Sequence, residues 1–224
     1  MTELKSRPII FSAPMVRAIL DGRKTQTRRI VKPQPSDHYW SRLPGYELQM
    51  DGPFLMEGGG MGVRFCHTIQ QNPQSDCDPW VGCPFGRPGD RLWVRETGWE
   101  RPERTPEMMR SGADTWARYY YDADGLTEND SSDFKQWGFK HRSSIFMPRW
   151  ASRITLEITD VRVERLRNIS DEDALAEGVY PTKTGLYLGA ARLAYGELWD
   201  QINGPGAWGL NPWVWVLTFR RVES

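Results

Sequence analysis

The stretch RITLEITDVRVERL, residues 153–166, carries the clearest structural signal in this 224-residue chain. Apolar and polar side chains alternate along it, which is the pattern of a β-strand with one face in a core. The alternation shifts at Thr159–Asp160, so we expect one strand with a bend there, or two strands. The core-facing positions are Ile154, Leu156, Ile158, Val161 and Val163.

Downstream of this segment the sequence predicts two helices and a closing strand. Ser170 is a good N-cap for a short helix that ends at Gly178. A second helix is expected over about 190–202, and residues 211–222, NPWVWVLTFRRV, read as a strand. The apolar side of the second helix is predicted to consist of Leu193, Leu198, Trp199 and Ile202.

Upstream, a helix is predicted from Ser12 to the stop at Gly22, followed by a strand in KTQTRRIV. The segment RPGDRLWVRET, from Arg87, reads as a turn and a strand, and RYYYDADG as a strand and turn over 119–125. Residues 33–86 are expected to be irregular because prolines and GGGMG interrupt them. The prolines are Pro33, Pro35, Pro44, Pro53, Pro73, Pro79 and Pro84.

This order of elements predicts an α+β fold. Strands without a regular helix between each pair favour a closed or half-open mixed β-barrel with helices at its rim, rather than a doubly wound sheet. We expect one domain over 1–224, with insertions at about 33–86 and 97–144.

The overall charge excludes a protein that coats nucleic acid. Lys+Arg and Asp+Glu both number 29, so the net charge is +0 and any nucleic-acid contact should be local. Three cysteines, an odd count, argue against a disulfide scaffold and for three reduced thiols in the cytoplasm. No apolar run resembles a membrane helix or a secretion signal, so a soluble protein is expected.

Basic residues are concentrated in DGRKTQTRRI, residues 21–30, where Arg23, Lys24, Arg28 and Arg29 face a single acid, Asp21. One interpretation is a solvated strand face, as most charge runs are. A second is a phosphate-binding patch. A third is that Lys24 and Thr27 perform chemistry. The strip alone leaves all three open.

Five ordered segments resemble the ASCH domain of the PUA-like β-barrel superfamily, particularly the larger members from phages and prophages. The segments are ILDGRKTQTRR, PGDRLWV, ITLEITDVRVERL, ISDEDALAEG and WVWVLTFRRV. They cover about the first thirty residues, 87–96 and 145–224. The resemblance implies a PUA-like barrel with a cleft and a suspected RNA ligand.

The resemblance also implies an activity and a set of site residues. Small bacterial proteins similar to this chain hydrolyse the amide of N4-acetylcytidine to cytidine and acetate. Their G-x-K-x-x-T motif is matched by Gly22, Lys24 and Thr27, and Arg29 matches a typical arginine two positions later. Aligning the ISDEDALAEG helix places their catalytic glutamate at Glu177. No metal or organic cofactor is implied.

These residue types suit amide hydrolysis. A threonine hydroxyl needs a base to activate it, and a lysine can serve if burial or cationic neighbours lower its pKa from about 10.4. Lys24 is then the base, Thr27 the nucleophile or the residue that positions a water, and Glu177 the proton carrier or orienting group. Arg23, Arg28 and Arg29 are candidates for substrate or phosphate binding.

Other interpretations remain open for the function and for two further groups of residues. The same cleft could bind a nucleoside or short RNA without amidase activity, or act as a ribonuclease, and the insertions could bind a host factor. Arg149 and Trp150, in SSIFMPRWASR, could line the cleft, although Trp150 is also a plausible core aromatic. A structural zinc is a weak alternative, with the candidates Cys66, His67, Cys77 and Cys83 too widely spaced for a typical site.

Overall fold

A computed structural model of the chain describes residues 4–35, 46–57, 59–69, 72–103, 109–110, 112, 117–179 and 189–222. The chain forms two compact units, each assembled from separate stretches. The first unit comprises Met1–Lys5, Arg23–Arg91 and Glu157–Arg220. The second comprises Ser6–Gly22, Leu92–Leu156 and Arg221–Ser224. The expectation of one domain with insertions at 33–86 and 97–144 stays a prediction, and parts of both ranges lie outside the described residues.

The secondary structure is a mixture of several sheets and few helices, which confirms the α+β class. The strands are β1 (Ser6–Ile10), β2 (Gln26–Ile30), β3 (Tyr46–Leu55), β4 (Met61–Ile69), β5 (Asn72–Cys77), β6 (Val81–Gly82), β7 (Arg91–Arg95), β8 (Gly98–Glu100), β9 (Tyr119–Tyr121), β10 (Lys140–Arg142), β11 (Thr155–Arg165) and β12 (Trp213–Val222). The α-helices are α1 (Ala13–Leu20), α2 (Glu128–Gln136), α3 (Asp171–Ala176) and α4 (Ala190–Asn203).

Three sheets organise these strands in the described part of the chain. The largest has the order β1-β7-β11-β12-β2. A second has the order β10-β8-β9, and the third has the order β3-β4-β5 with β6 also paired to β4. A closed barrel is not among the described features, so the PUA-like barrel remains a proposal.

The segment that signals the fold forms one strand. Its burial alternates as expected, and Thr159 and Asp160 are both exposed, so the alternation shifts phase there without ending β11. Strand β12 is buried on both faces over Val214–Leu217. Helices α3 and α4 cover one of those faces through a cluster comprising Leu166, Ile169, Ala174, Ala191, Tyr195, Trp199, Val214 and Val216. The predicted strand therefore lies in the centre of the first unit's core.

Helices α1 and α3 match the prediction. Helix α4 has the predicted extent, but part of its predicted apolar side does not face the core. Helix α1 begins after Ser12 and ends before Gly22, whose φ of 73° is left-handed and suits only glycine readily. The predicted apolar side of α4 is wrong in part: Trp199 is buried as expected, but Leu193 and Ile202 are more than half exposed. The other buried residues of the helix are Ala190, Ala191, Tyr195 and Gly196.

The prediction that residues 33–86 are irregular is also wrong. They contain β3, β4, β5 and β6, which form a sheet. The prolines do not prevent this: Pro53 lies at the register shift between Asp51 and Phe54, and Pro73 lies in the edge strand β5. Proline is tolerated at such places because no ladder hydrogen bond from its nitrogen is required there. Gly58, in GGGMG, lies outside the described residues.

The cysteines in this sheet are not three reduced thiols, as expected from their odd number. Cys66 in β4 and Cys77 in β5 are directly opposite in register and form a disulfide, while Cys83 is buried outside it. Disulfides persist mainly in oxidising environments, so the expected cytoplasmic location stays a prediction. No helix in the described part of the chain is long and apolar enough to cross a membrane.

Breaking this disulfide is expected to destabilise the first unit. The cysteines are 11 residues apart, and closing a loop of that length contributes about 2–3 kcal/mol to the free energy of unfolding. Dithiothreitol should therefore lower the urea midpoint, and Cys66→Ser with Cys77→Ser should reproduce the effect and abolish the response to reductant. Cys83→Ala should retain the response, whereas an equal response in the double variant would contradict the prediction.

Candidate functional site

Lys24 and Glu177, which the sequence separates by 153 positions, are adjacent in the first unit. Lys24 precedes β2, and Glu177 is the residue at which α3 ends. The two residues form an isolated antiparallel bridge. Thr25 extends it, because its amide donates to the carbonyl of Ala176 at 2.8 Å and its carbonyl accepts from Phe219 of β12 at 2.9 Å. Backbone hydrogen bonds thus hold the two segments together before any side chain is considered.

The side chains of this pair are buried and bonded to each other. The Lys24 ammonium donates to Glu177 Oε2 at 2.6 Å and to the Glu177 carbonyl at 2.9 Å. The exposed fractions of the two residues are 2% and 3%. Short contacts of this kind in a buried site are strong individually, but each charge depends on its partner. The interpretation of Lys24 as part of a solvated basic face is therefore wrong.

Arg28 is the second cation of the site and joins three carboxylates. Its guanidinium donates to Glu177 Oε1 at 3.2 Å, to Glu164 Oε1 at 2.8 and 3.0 Å, and to Asp173 Oδ2 at 2.8 Å. Its side chain has no exposed surface. Burial by itself would lower the pKa of Arg28, but Glu177 and Glu164 outweigh it and raise that pKa. Arg28 is therefore a charged side chain enclosed by carboxylates, and it cannot contact a phosphate at the protein surface.

Helix α3 contributes its own capping and charge to this network. Ser170 accepts a hydrogen bond from the Asp173 amide at 3.0 Å and begins the helix, as the sequence predicts. The Asp173 carboxylate also accepts from Arg162 of β11 at 2.6 Å. Burial tends to raise the pKa of Asp173, but Arg162 and Arg28 dominate and lower it. The helix is thereby tied to β2 and β11, and Glu177 is held in place at its end.

Tyr195 of α4 completes the surroundings of Glu177. Its hydroxyl donates to Glu177 Oε1 at 3.3 Å, and its ring centroid lies 6.0 Å from the Arg28 guanidinium. Burial, reinforced by the charge of Glu177, raises the pKa of Tyr195 well above its ordinary value. The phenol is therefore a neutral donor at physiological pH. Glu177 then accepts from Lys24 on one oxygen and from Arg28 and Tyr195 on the other.

The electrostatic environment of Lys24 favours loss of its proton. Burial lowers the pKa of Lys24 below its ordinary value, and Arg29 and Arg28 lower it further. Glu177 acts in the opposite direction, but the net shift is downward. A lysine whose pKa is lowered in this way can act as a base, which an ordinary surface lysine does poorly.

The other residues of the basic strip have different positions. Thr27 is buried in β2 opposite Leu217 of β12. Because side chains alternate along a strand, Thr27 and Arg29 share one face of β2, and Arg28 lies on the other. Burial lowers the pKa of Arg29, although Glu177 partly offsets this, so Arg29 lies within electrostatic reach of the pair. Arg23 is exposed. The strip therefore divides into a buried site and a single exposed arginine.

Arg149 and Trp150, the other predicted ligand residues, belong to the second unit, in a short 3₁₀ turn. Trp150 is 44% exposed, so its interpretation as a core aromatic is wrong. The Arg118 guanidinium lies 3.7 Å from its ring centroid. Arg149 lies over the ring of Trp93 at 5.1 Å. Their role in ligand binding stays a prediction.

The residues suggested for zinc have other contacts. The disulfide engages Cys66 and Cys77, and buried His67 lies 3.3 Å from the Asp78 carboxylate. Within the described ranges, no group of three or more His, Cys, Asp or Glu side chains is arranged to hold a metal ion. The zinc hypothesis therefore loses two of its four candidate ligands.

Sequence reasoning missed the residues that surround the Lys24–Glu177 pair. Glu164, Arg162, Asp173 and Tyr195 were not among the predicted site residues. One signal was available in the sequence. Arg162 and Glu164 lie two positions apart on the polar face of β11, and a face that carries both charges can form an ion-pair network. Comparison of the chain with protein-family models, with curated proteins and with solved structures gives no match.

Proposed function

We propose that this chain is an amidohydrolase with a PUA-like ASCH fold, which removes the acyl group from an N4-acylated cytosine nucleoside. The observation that carries the proposal is the buried contact of 2.6 Å between Lys24 and Glu177. The motif resemblance selected these two residues as catalytic, although a lysine after a helix and a carboxylate at another helix end are both expected at the surface. Their meeting in the interior supports a shared role.

In the proposed reaction Lys24 acts in its neutral form. It removes the proton from the Thr27 hydroxyl, or from a water that Thr27 positions, and the oxygen attacks the acyl carbon. The bond from that carbon to N4 of cytosine then breaks, and N4 receives a proton returned from Lys24 or carried by Glu177. If Thr27 is the nucleophile, water hydrolyses the resulting ester. The products are the cytosine nucleoside and the free acid, and the reaction needs no metal or organic cofactor.

The arrangement around Glu177 explains how Lys24 could become neutral. A buried carboxylate that lost its only cation would be strongly destabilised. Here Arg28 and Tyr195 remain bonded to Glu177 Oε1 at 3.2 and 3.3 Å when the proton leaves Lys24. The charge of Glu177 is thus compensated in both protonation states of Lys24. This compensation supports an acid–base role rather than a static ion pair.

The second candidate is a module that binds RNA or a modified base through the same region and has no amidase activity. The observation in its favour is that the Lys24 ammonium donates to both the side chain and the backbone carbonyl of Glu177, an arrangement that can be purely structural. A ribonuclease activity on single-stranded RNA is a variant of this proposal. Phage origin, which rests on the resemblance, and a cytoplasmic location, which rests on the number of cysteines, also remain proposals.

The hydrolase proposal is tested by incubating the purified chain with N4-acetylcytidine and measuring cytidine release by chromatography. Thr27→Ala is expected to lower kcat/KM by at least about 1,000-fold, because the nucleophile or its positioning group is lost. Thr25→Ala is the matched control, since Thr25 is exposed and only two positions away, and it should retain activity.

Two outcomes would contradict the proposal at different levels. Full activity in a folded Thr27→Ala variant would remove Thr27 from the mechanism but leave the hydrolase. Absence of turnover by the wild-type chain on every acylated cytosine tested would remove the hydrolase itself and favour the binding module. In that case RNA affinity measured against salt concentration distinguishes phosphate contacts, which give a steep dependence, from base recognition alone.

A further inference from the structure

A cavity in the first unit lies apart from the Lys24–Glu177 pair and is lined by an indole, a lysine and a carboxylate. Its volume is about 410 Å³, within the range of small-ligand pockets. Residues that follow β2 line one side, and the β4–β6 region lines the other. None of the residues that hold Lys24 or Glu177 contributes to it. We propose that this cavity binds a nucleotide, with its base on Trp80 and its phosphate at Lys32.

The aromatic part of the proposed site is Trp80, which lines the cavity and is 40% exposed. The Arg64 guanidinium lies 4.9 Å from its ring centroid, and Phe54 meets it edge-on at 6.4 Å. Arg64 is itself held by Asp51 at 2.8 Å. These contacts position an indole that is still partly open to solvent. A partly exposed indole is a surface on which a nucleobase stacks, since every base has a π-face.

The polar part of the proposed site has one group of each charge. Lys32 is exposed and lines the cavity, so its ammonium can meet a phosphate without a large desolvation cost. Asp78 lines the same cavity, and its Oδ2 atom lies 3.3 Å from His67 Nε2. A carboxylate can accept hydrogen bonds from the exocyclic amine of a base. An aromatic carboxylate ligand would lack that amine, which is why the chemistry favours a nucleotide.

Backbone and side-chain contacts hold the walls of the cavity in place. Gln34 donates to the carbonyls of Val31 and Trp213 at 2.7 and 2.9 Å and accepts from the Trp213 amide at 2.8 Å. Phe65 is buried, with its ring centroid 5.1 Å from that of Trp213, and its carbonyl accepts from the Asp78 amide at 2.8 Å. A cavity fixed in this way loses little conformational entropy when a ligand binds.

The test measures binding to the full chain by isothermal titration calorimetry with cytidine 5′-monophosphate, cytidine and ribose 5-phosphate as probes. We expect the nucleotide to bind more tightly than either fragment. Trp80→Ala should weaken nucleotide binding about tenfold or more, because base–aromatic stacking is lost. Lys32→Gln should weaken it severalfold and flatten its salt dependence, because the phosphate contact is lost.

Matched control variants show whether a loss of binding comes from the altered cavity or from a general folding defect. Leu210→Ala alters a side chain that is 79% exposed in the same unit, and Lys135→Gln removes an exposed charge from α2 in the other unit. Both should bind as the wild type does. Trp80→Phe keeps an aromatic surface and should give intermediate affinity. Gly82→Leu adds bulk to the cavity wall where a Cβ meets no heavy atom within 4 Å, and it should reduce binding by obstruction.

The source of the nucleotide is resolved by repeating the titration with a five-nucleotide oligocytidylate. Trp80-dependent binding of the monophosphate indicates a free nucleotide, and Trp80-dependent binding of the oligonucleotide alone indicates RNA. Either result supports the proposal. It is overturned if neither probe binds, if ribose 5-phosphate binds as tightly as the nucleotide, or if binding is unchanged in a folded Trp80→Ala variant. The outcome is independent of the hydrolase proposal, which concerns different residues.

Discussion

Lys24→Met is expected to abolish the hydrolysis of N4-acetylcytidine, with kcat/KM falling by about 100- to 10,000-fold, the contribution typical of a positioned base. Methionine retains much of the volume of lysine but cannot accept the proton. The same change should also destabilise the fold, because Glu177 loses a partner at 2.6 Å while it remains 3% exposed. Activity is measured by cytidine release and stability by urea unfolding.

Controls separate the loss of chemistry from the loss of stability. Lys135→Met removes an exposed lysine from α2, in the other unit, and should change neither quantity. Combining Lys24→Met with Glu177→Gln removes both charges of the pair, so most of the lost stability should return. Activity should not return, because the base is still missing. A stable Lys24→Met variant with wild-type turnover would exclude Lys24 from catalysis and assign the pair a structural role.

The pH dependence of the wild-type reaction provides a second measurement of the same residue. Burial lowers the pKa of Lys24 below its ordinary 10.5. As the base must be neutral, kcat/KM should rise with pH through the lowered pKa and level off above it, at a pH below 10.5. Between the two pKa values the unfolded chain binds more protons than the folded one, so the contribution of Lys24 to stability also rises with pH. Any residual activity of Lys24→Met should not show this rise of kcat/KM with pH.

Arg28→Met is expected to produce the largest loss of stability, about 3–5 kcal/mol in the free energy of unfolding. The change removes the guanidinium that donates to Glu164, Asp173 and Glu177, and the side chain of Glu177 is only 2% exposed. Lys24 would still pair with Glu177 and Arg162 with Asp173, but each of the three carboxylates loses a charged donor, and a methionine of similar length provides no hydrogen bond in return. The measurement is urea unfolding followed by circular dichroism. The midpoint should fall, while the slope of the unfolding free energy against urea concentration should stay unchanged.

Arg220→Met is the matched control for this prediction. Arg220 also forms an ion pair, with Glu157 at 3.0 Å, but its side chain is 66% exposed. Exposed pairs contribute about 0–1 kcal/mol, so the control should differ little from the wild type. If Arg28→Met and Arg220→Met had equal effects, Arg28 could not be the structural centre of the site. Arg28→Lys should recover only part of the loss, because an ammonium cannot reach three carboxylates in the fork geometry of a guanidinium.

Part of the candidate site could be predicted from sequence, because the motif resemblance identifies residue types independently of their packing. It selected Lys24, Thr27 and Glu177, and two of these meet in the interior. The role of Arg28 could not be obtained in this way. A strip of basic residues reads as a phosphate-binding or solvated surface, and only the positions of Glu164, Asp173 and Glu177 show that Arg28 is enclosed by acids.

The sheet formed by β3–β6 shows where pattern reasoning fails. One proline lies at a register shift and another in an edge strand. Prolines at these positions interrupt the sequence pattern of a strand, but they do not prevent the strands from pairing. The pairing of Cys66 with Cys77 follows from the register of β4 and β5, which the number of cysteines does not reveal. The face of α4 was misassigned in part: Ala191 and Tyr195 pack in the core beside the predicted Trp199, whereas Leu193 and Ile202 are exposed.

The sequence by itself determined the elements whose signals are local: the alternation of β11, the ends of α1 and α3, and the strand β12. These depend on backbone propensity and on the period of apolar side chains, which act over a few residues. Only the tertiary structure decided that Lys24, Thr27 and Arg28 of the basic strip are buried in the first unit. The charges that compensate the strip come from β11 and from α3 with its C-terminal residue Glu177, more than a hundred positions away, and a charge can remain in an interior only where such partners converge on it.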